Sequence, residues 1–306
     1  MPRTPGGLLV LAEQHPEPDG PGRLPRRRFT RLIVMVLVLV LIGVGWSGWQ
    51  QISHWLVDRF APTGCVASVP GGQAEVTPEQ AANAATISAV AVSRRLPTRA
   101  ATIAVATAMQ ESKLRGLRYG DRDSLGLFQQ RPSQGWGTPE QILDPVYASN
   151  AFYDRLILVS DYTTLPLTEA AQEVQISAAP TAYAQHEDEA LALSAAFTGA
   201  APRALTCQAG APDQPGEPAR VREQLSAQHG IDSRPIDPTT IEVAVEGPRA
   251  WAVAQWAVAH VSALQVERVD VLSGADGSSW ERHTGEWASS EDAGSSRPLV
   301  RIVVAS

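Results

Sequence analysis

The sequence predicts a mainly α domain with a small β-hairpin insertion, preceded by a transmembrane helix and followed by a small α+β domain. Three observations predict it. An uncharged apolar run spans residues 32–49. Helical periodicity with strong helix starts dominates residues 66–207, and alternating strand patterns recur only beyond residue 240. The chain has 306 residues, which suits about two domains, and 44% hydrophobic against 19% charged residues suits a folded core.

Residues 1–31 carry six arginines against three acids. They hold a net charge of +3 and leave −10 for the rest of a chain whose total is −7. That acidic remainder argues against general nucleic-acid binding. The segment 1–31 is Pro-rich and reads as a disordered cytoplasmic tail. Leu32–Trp49 (LIVMVLVLVLIGVGWSGW) has no charged residue, and as a helix rising about 1.5 Å per residue it nearly spans a bilayer core. Arg26, Arg27, Arg28 and Arg31 precede it, which places the amino terminus inside and the rest of the chain outside. Trp46, Trp49 and Trp55 suit the outer interface. The alternative is a cleaved signal peptide, for which Gly43-Val44-Gly45 followed by Trp46 is a poor site.

Outside a membrane, Cys65 and Cys207 lie in an oxidising compartment and bracket one domain, so a disulfide between them is favoured over two free thiols. Two cysteines are too few for a four-cysteine zinc site, and the six histidines show no HExxH spacing. No metal and no cofactor is expected.

Thr77-Pro78-Glu79-Gln80 reads as a capping box with proline at the first helical position, opening a helix to about Arg94. Leu96-Pro97 breaks it, and a second helix runs from Thr98 to about Ser112. Residues 117–138 are punctuated by Gly, Asp and Ser and read as a loop with a short hairpin at Leu125–Phe128. Asp144-Pro145 starts a helix to about Val159, and helical patterns recur at 168–178 and 180–198. Residues 208–221 read as a linker. In the domain at 222–306, Ile241–Val245, Val266–Leu272 and Leu299–Val304 alternate as strands, Pro248 opens a helix, and Trp280 and Trp287 flank a polar turn. This last domain shows no chemistry of its own. A wall-binding or protein-docking module is the default from its position.

Glu111 ends a very apolar helix. Burial there raises a carboxyl pKa, as a general acid at neutral pH requires. The plain alternative is a surface glutamate paired with Lys113 or Arg115. Ala108-Met109-Gln110-Glu111-Ser112, followed by Ser124-Leu125-Gly126-Leu127-Phe128-Gln129-Gln130, resembles the lysozyme-like, soluble lytic transglycosylase family. There a Glu-Ser pair ends a helix and a Gly-Leu-Met/Phe-Gln segment follows. The resemblance covers roughly residues 75–200.

It implies a lysozyme-like domain acting on the β-1,4 MurNAc–GlcNAc strands of peptidoglycan, with Glu111 as catalytic acid and base. It further implies Ser112, Phe128, Gln129, Gln130 and Tyr183 as substrate-binding residues. Tyr183 is the weakest, because Ala182-Tyr183-Ala184-Gln185 departs from the family's Ala-Tyr-Asn-Ala-Gly. Asp121 and Asp123 read as a solvated turn and stay outside the catalytic set. Trp136 is equally a sugar platform or a plug. The expected protein is a membrane-anchored lytic transglycosylase, with a muramidase second. A non-catalytic glycan-binding anchor of a secretion or conjugation assembly is the alternative from another class.

Overall fold

Two short strands open the described part of the chain. In the computed structural model, which describes residues 63–176, 181–272, 277–290 and 297–306, β1 (Gly64–Val69) and β2 (Gly72–Val76) form an antiparallel hairpin. Helix α1 (Pro78–Ser93) follows. Its Thr77 hydroxyl accepts from the Gln80 amide while the Gln80 side chain accepts from Thr77 N–H, so the box satisfies two orphan donors. Helix α2 (Thr98–Ser112) is buried almost throughout. A loop then leads to the short α3 (Pro139–Leu143), capped by Thr138, and to α4 (Pro145–Leu156), capped by Asp144. Helix α5 (Leu167–Gln175), a 3-10 turn at Ala182–His186 and α6 (Glu187–Phe197) complete the first half.

Strand β3 (Leu205–Gln208) returns to pair with β1. Beyond it come α7 (Pro218–His229), β4 (Arg234–Pro235), β5 (Thr240–Val243), α8 (Gly247–Ala259), β6 (Val266–Leu272), β7 (Ser278–Glu281), β8 (Trp287–Ser289) and β9 (Leu299–Val304). They form an antiparallel six-stranded sheet in the order β4-β5-β9-β6-β7-β8.

The expected fold class needs correcting. Helix accounts for 44% and strand for 19%, so the architecture is α+β with two sheets. It is not a mainly α lysozyme-like domain with one hairpin. The strand content escapes local pattern reading because the first sheet is closed by β3, with Cys65 and Cys207 142 residues apart. Among the described residues no helix is long and apolar enough to cross a membrane. The run 32–49 lies outside the described residues.

All described residues belong to one compact unit, Asp58–Ser306. Helix α8 lies against both sheets and against helices α1 and α6. Buried Gln255 on it accepts from Leu205 N–H and donates to the carbonyls of Ala196 and Ala201. Trp287 Nε1 reaches the Leu205 carbonyl at 2.8 Å. Residues on either side of 208–221 therefore share one core, in which Trp256, Trp280, Phe128, Phe152 and Tyr153 are fully buried. The disulfide Cys65–Cys207 is formed, cross-strand between β1 and β3.

Candidate active site

The site is built on the carboxyl end of α2. Alanine at positions 100, 101, 104, 106 and 108 lets neighbouring helices approach closely, and the helix runs through the core until Ser112. It stops because Lys113 and Leu114 take left-handed conformations, φ 55° and 57°. Such backbone is costly for non-glycine residues and needs outside support. Gln80 Nε2 donates to the Lys113 carbonyl at 2.9 Å and Asn83 Nδ2 to the Leu114 carbonyl at 2.8 Å. The first helix thus fixes where the second one ends, and with it the direction of Glu111.

Glu111 is half-buried. Its Oε1 accepts from the Tyr183 hydroxyl at 2.8 Å, and Gln175, whose Nε2 donates to the Phe128 carbonyl at 2.9 Å, lies beside it. Burial pushes the Glu111 pKa above the usual carboxylate value, against the downward pull of these two donors. Among the described residues neither Lys113 nor Arg115 pairs with it. Arginine side chains secure the surroundings elsewhere: Arg99 bridges to Glu187 at 2.7 Å and holds α6 against α2.

The segment 124–130 packs directly beside Ser112. Ser112 Oγ donates to the Leu127 carbonyl at 2.7 Å and is buried. Leu125 and Gln130 exchange both backbone hydrogen bonds, at 2.9 and 3.0 Å, so the expected hairpin is one antiparallel bridge closed by a tight turn. Gly126 sits at φ 71°, and a Cβ there would lie 2.5 Å from the Ile142 carbonyl oxygen. Only glycine satisfies both demands.

The residues expected to bind substrate divide. Glu111, Ser112, Tyr183 and the backbone of 127–128 come together. Tyr183 is fully buried and spends its hydroxyl on Glu111. The Phe128 ring is fully buried and stacks on Phe152 at 4.8 Å. Gln130 is 1% exposed and donates to the Ala148 carbonyl. Gln129 alone of the glutamine pair stays accessible. Its backbone is left-handed, and its Nε2 leans on the Gly126 carbonyl at 3.2 Å. Trp136 is 6% exposed, with the Arg155 guanidinium 3.3 Å above its ring, which is the plug geometry rather than an open platform.

Asp123 is committed elsewhere. It accepts from Arg131 Nε at 2.8 Å and from Ser133 N–H and Oγ, and these bonds hold its carboxyl well below the usual range. It ties the loop to the 3-10 turn at Pro132–Gln134. Asp121 is exposed, 3.9 Å from Arg122.

Gln175, whose Nε2 donates to the Phe128 carbonyl at 2.9 Å, was not among the expected site residues. It is the last residue of an ordinary amphipathic helix, and no local pattern marks it. Among the described residues no group of three or more His, Cys, Asp or Glu is placed to hold a metal ion. No family model matches the chain, and no curated protein does.

Proposed function

We propose that the chain is a peptidoglycan lytic transglycosylase in which Glu111 serves as both acid and base. The observation that carries this reading is the half-buried Glu111 carboxyl, raised in pKa by burial and held by the Tyr183 hydroxyl at the end of α2, where Ser112 meets the Gly126–Gln129 turn. The Glu-Ser pair and the Gly-Leu-Phe-Gln turn resemble the corresponding elements of lytic transglycosylases, and here they touch through Ser112 and Leu127.

In this reading, protonated Glu111 gives its proton to the oxygen of the β-1,4 bond as the muramyl C1–O bond breaks. The carboxylate then takes the proton of the muramyl C6 hydroxyl, whose oxygen bonds to C1. The products are a 1,6-anhydromuramyl end and a GlcNAc with a free 4-hydroxyl, and no water is consumed. A two-carboxylate hydrolase needs a second Asp or Glu to activate water or attack the sugar. The loop carboxylate Asp123 is held by Arg131 and Ser133, which favours the single-carboxylate route. The disulfide supports a protein that works in an oxidising compartment, where wall glycan is found.

The test is digestion of purified peptidoglycan by the full chain and by Glu111→Gln. Released muropeptides lighter than hydrolysis products by one water, and absent with Glu111→Gln, are expected. Wall binding without release in the wild type would contradict the reading.

A further inference from the structure

The loop that follows Glu111-Ser112 is cationic. Residues 113–122 carry Lys113, Arg115, Arg118 and Arg122 against Asp121, a net +3 inside a stretch, 32–306, that nets −10. All four cations are exposed. Among the described residues Lys113, Arg115 and Arg118 have no ion-pair partner. Arg122 meets only Asp121, 3.9 Å away, and the two side chains are 71% and 92% exposed, too wet to neutralise one another. Like charges crowded on one loop repel unless an anion meets them. The backbone beneath them is held in place. Leu114 is buried, Gly126 N–H donates to the Leu117 carbonyl at 2.7 Å, and Gln129 Nε2 donates to the Tyr119 carbonyl at 3.4 Å. The cations therefore stand on the same turn that packs against Ser112.

We propose that Lys113, Arg115, Arg118 and Arg122 form an anion-docking surface beside Glu111 that takes the carboxylates of peptidoglycan stem peptides. The proposal rests on the transglycosylase reading for the identity of the polymer. The sugars of that polymer are neutral and give four cations nothing to meet. Its anions are on the stems, which hang from the lactyl group of the muramyl residue whose C1–O bond breaks in that reading. Stem carboxylates therefore emerge close to the acid, and the cationic loop leaves α2 directly after Ser112. Phosphate-bearing wall polymers are joined through muramyl C6, whose hydroxyl the transglycosylase route needs free, so the anions beside a reactive muramyl come from the stem. A guanidinium matches a carboxylate with paired N–H donors, and a cluster of them speeds encounter with a polyanion. Exposed contacts of this kind are individually weak, so the surface acts through number and weakens with salt.

The experiment measures binding with cutting blocked. The full chain carrying Glu111→Gln is titrated with soluble, uncross-linked peptidoglycan strands and with the same strands freed of stem peptides by an amidase. At low salt the stem-bearing strands should bind about tenfold tighter, and most of that advantage should vanish at about 0.5 M salt. Adding Arg115→Gln, Arg118→Gln and Arg122→Gln should abolish the advantage while keeping the stem-free affinity and the melting transition. Lys113 is left in place because its backbone ends α2. An advantage that survives the three substitutions overturns the proposal, as does equal binding of the two strands by the unsubstituted loop. Strands stripped of phosphate polymers with hydrofluoric acid should bind as before, and a loss there overturns the assignment to stems. Should the triple variant not fold, Arg115→Gln and Arg118→Gln made singly should each weaken stem-bearing strands about twofold, and no weakening in either overturns the proposal. Digestion by the wild type separates the two claims. Cleavage without any stem preference sinks the docking surface alone. A stem preference without cleavage upholds the surface and sinks the transglycosylase reading.

Discussion

Tyr183 donates its hydroxyl to Glu111 Oε1 at 2.8 Å across 72 residues of sequence, with its ring wholly buried. The ring has no room to turn toward a ligand. Its contribution is to the protonation and aim of Glu111. Tyr183→Phe removes a donor that favours the charged carboxylate, so the Glu111 pKa rises further. The alkaline limb of the pH profile for glycan cleavage should move upward by about one pH unit. An unchanged limb in a folded Tyr183→Phe would show that the hydroxyl does not govern the acid.

Glu111 should cost stability at neutral pH. Its folded pKa lies above the unfolded value, so the native state holds the proton more tightly. Stability from this group is fully present below about pH 4.5, and it is lost as pH rises through the folded value. Glu111→Gln keeps an acceptor for Tyr183 and removes that loss. The variant should melt higher than the wild type at pH 7 by a few degrees, at about 2–4 °C per kcal/mol for a chain of this size. The difference should shrink toward pH 4. Calorimetry at both pH values checks the sign.

Asp123 has the opposite sign and a structural job. Its pKa is lowered by Arg131 and Ser133, so its contribution is present above the usual carboxylate pKa near 3.8 and is lost as pH falls through the folded value. Asp123→Asn should speed hydrogen exchange across residues 123–133 while leaving most of the cleavage activity. Loss of cleavage equal to that of Glu111→Gln, with unchanged exchange, would instead make Asp123 a second catalytic carboxylate.

The Cys65–Cys207 bond closes a long loop and pins β1 to β3 next to Gln255 and Trp287. The double Cys→Ser variant should lose about 2–5 kcal/mol, roughly ten degrees in Tm. Both cysteines are buried, at 1% and 0% exposure, so dithiothreitol should act slowly on the native protein and quickly above its melting onset. Rapid reduction in the cold would contradict this packing.

Local chemistry made part of this molecule legible from sequence. The Thr77–Gln80 capping box, the Asp144-Pro145 helix start and the helix ending at Glu111-Ser112 all stand as the residues indicate, because each is decided within a few positions. The cysteine pair was legible in the way Cys65 and Cys207 bracket one stretch of chain. What escaped depends on distant partners. Gly64–Val76 is a hairpin whose third strand arrives only at Leu205–Gln208. Residues 218–221, at the end of an apparent linker, begin α7. Gln175 looks like any polar helix end until the fold brings it to Phe128 and Glu111. Phe128 and Gln130 carry the motif, yet their side chains serve the core and the 148 carbonyl rather than solvent.

The most direct test of Glu111 as sole acid and base is digestion in water enriched in heavy oxygen. The expected products are 1,6-anhydro ends with no solvent oxygen incorporated, and none from Glu111→Gln. Heavy oxygen at the new muramyl C1, or cleavage that survives Glu111→Gln, would contradict it.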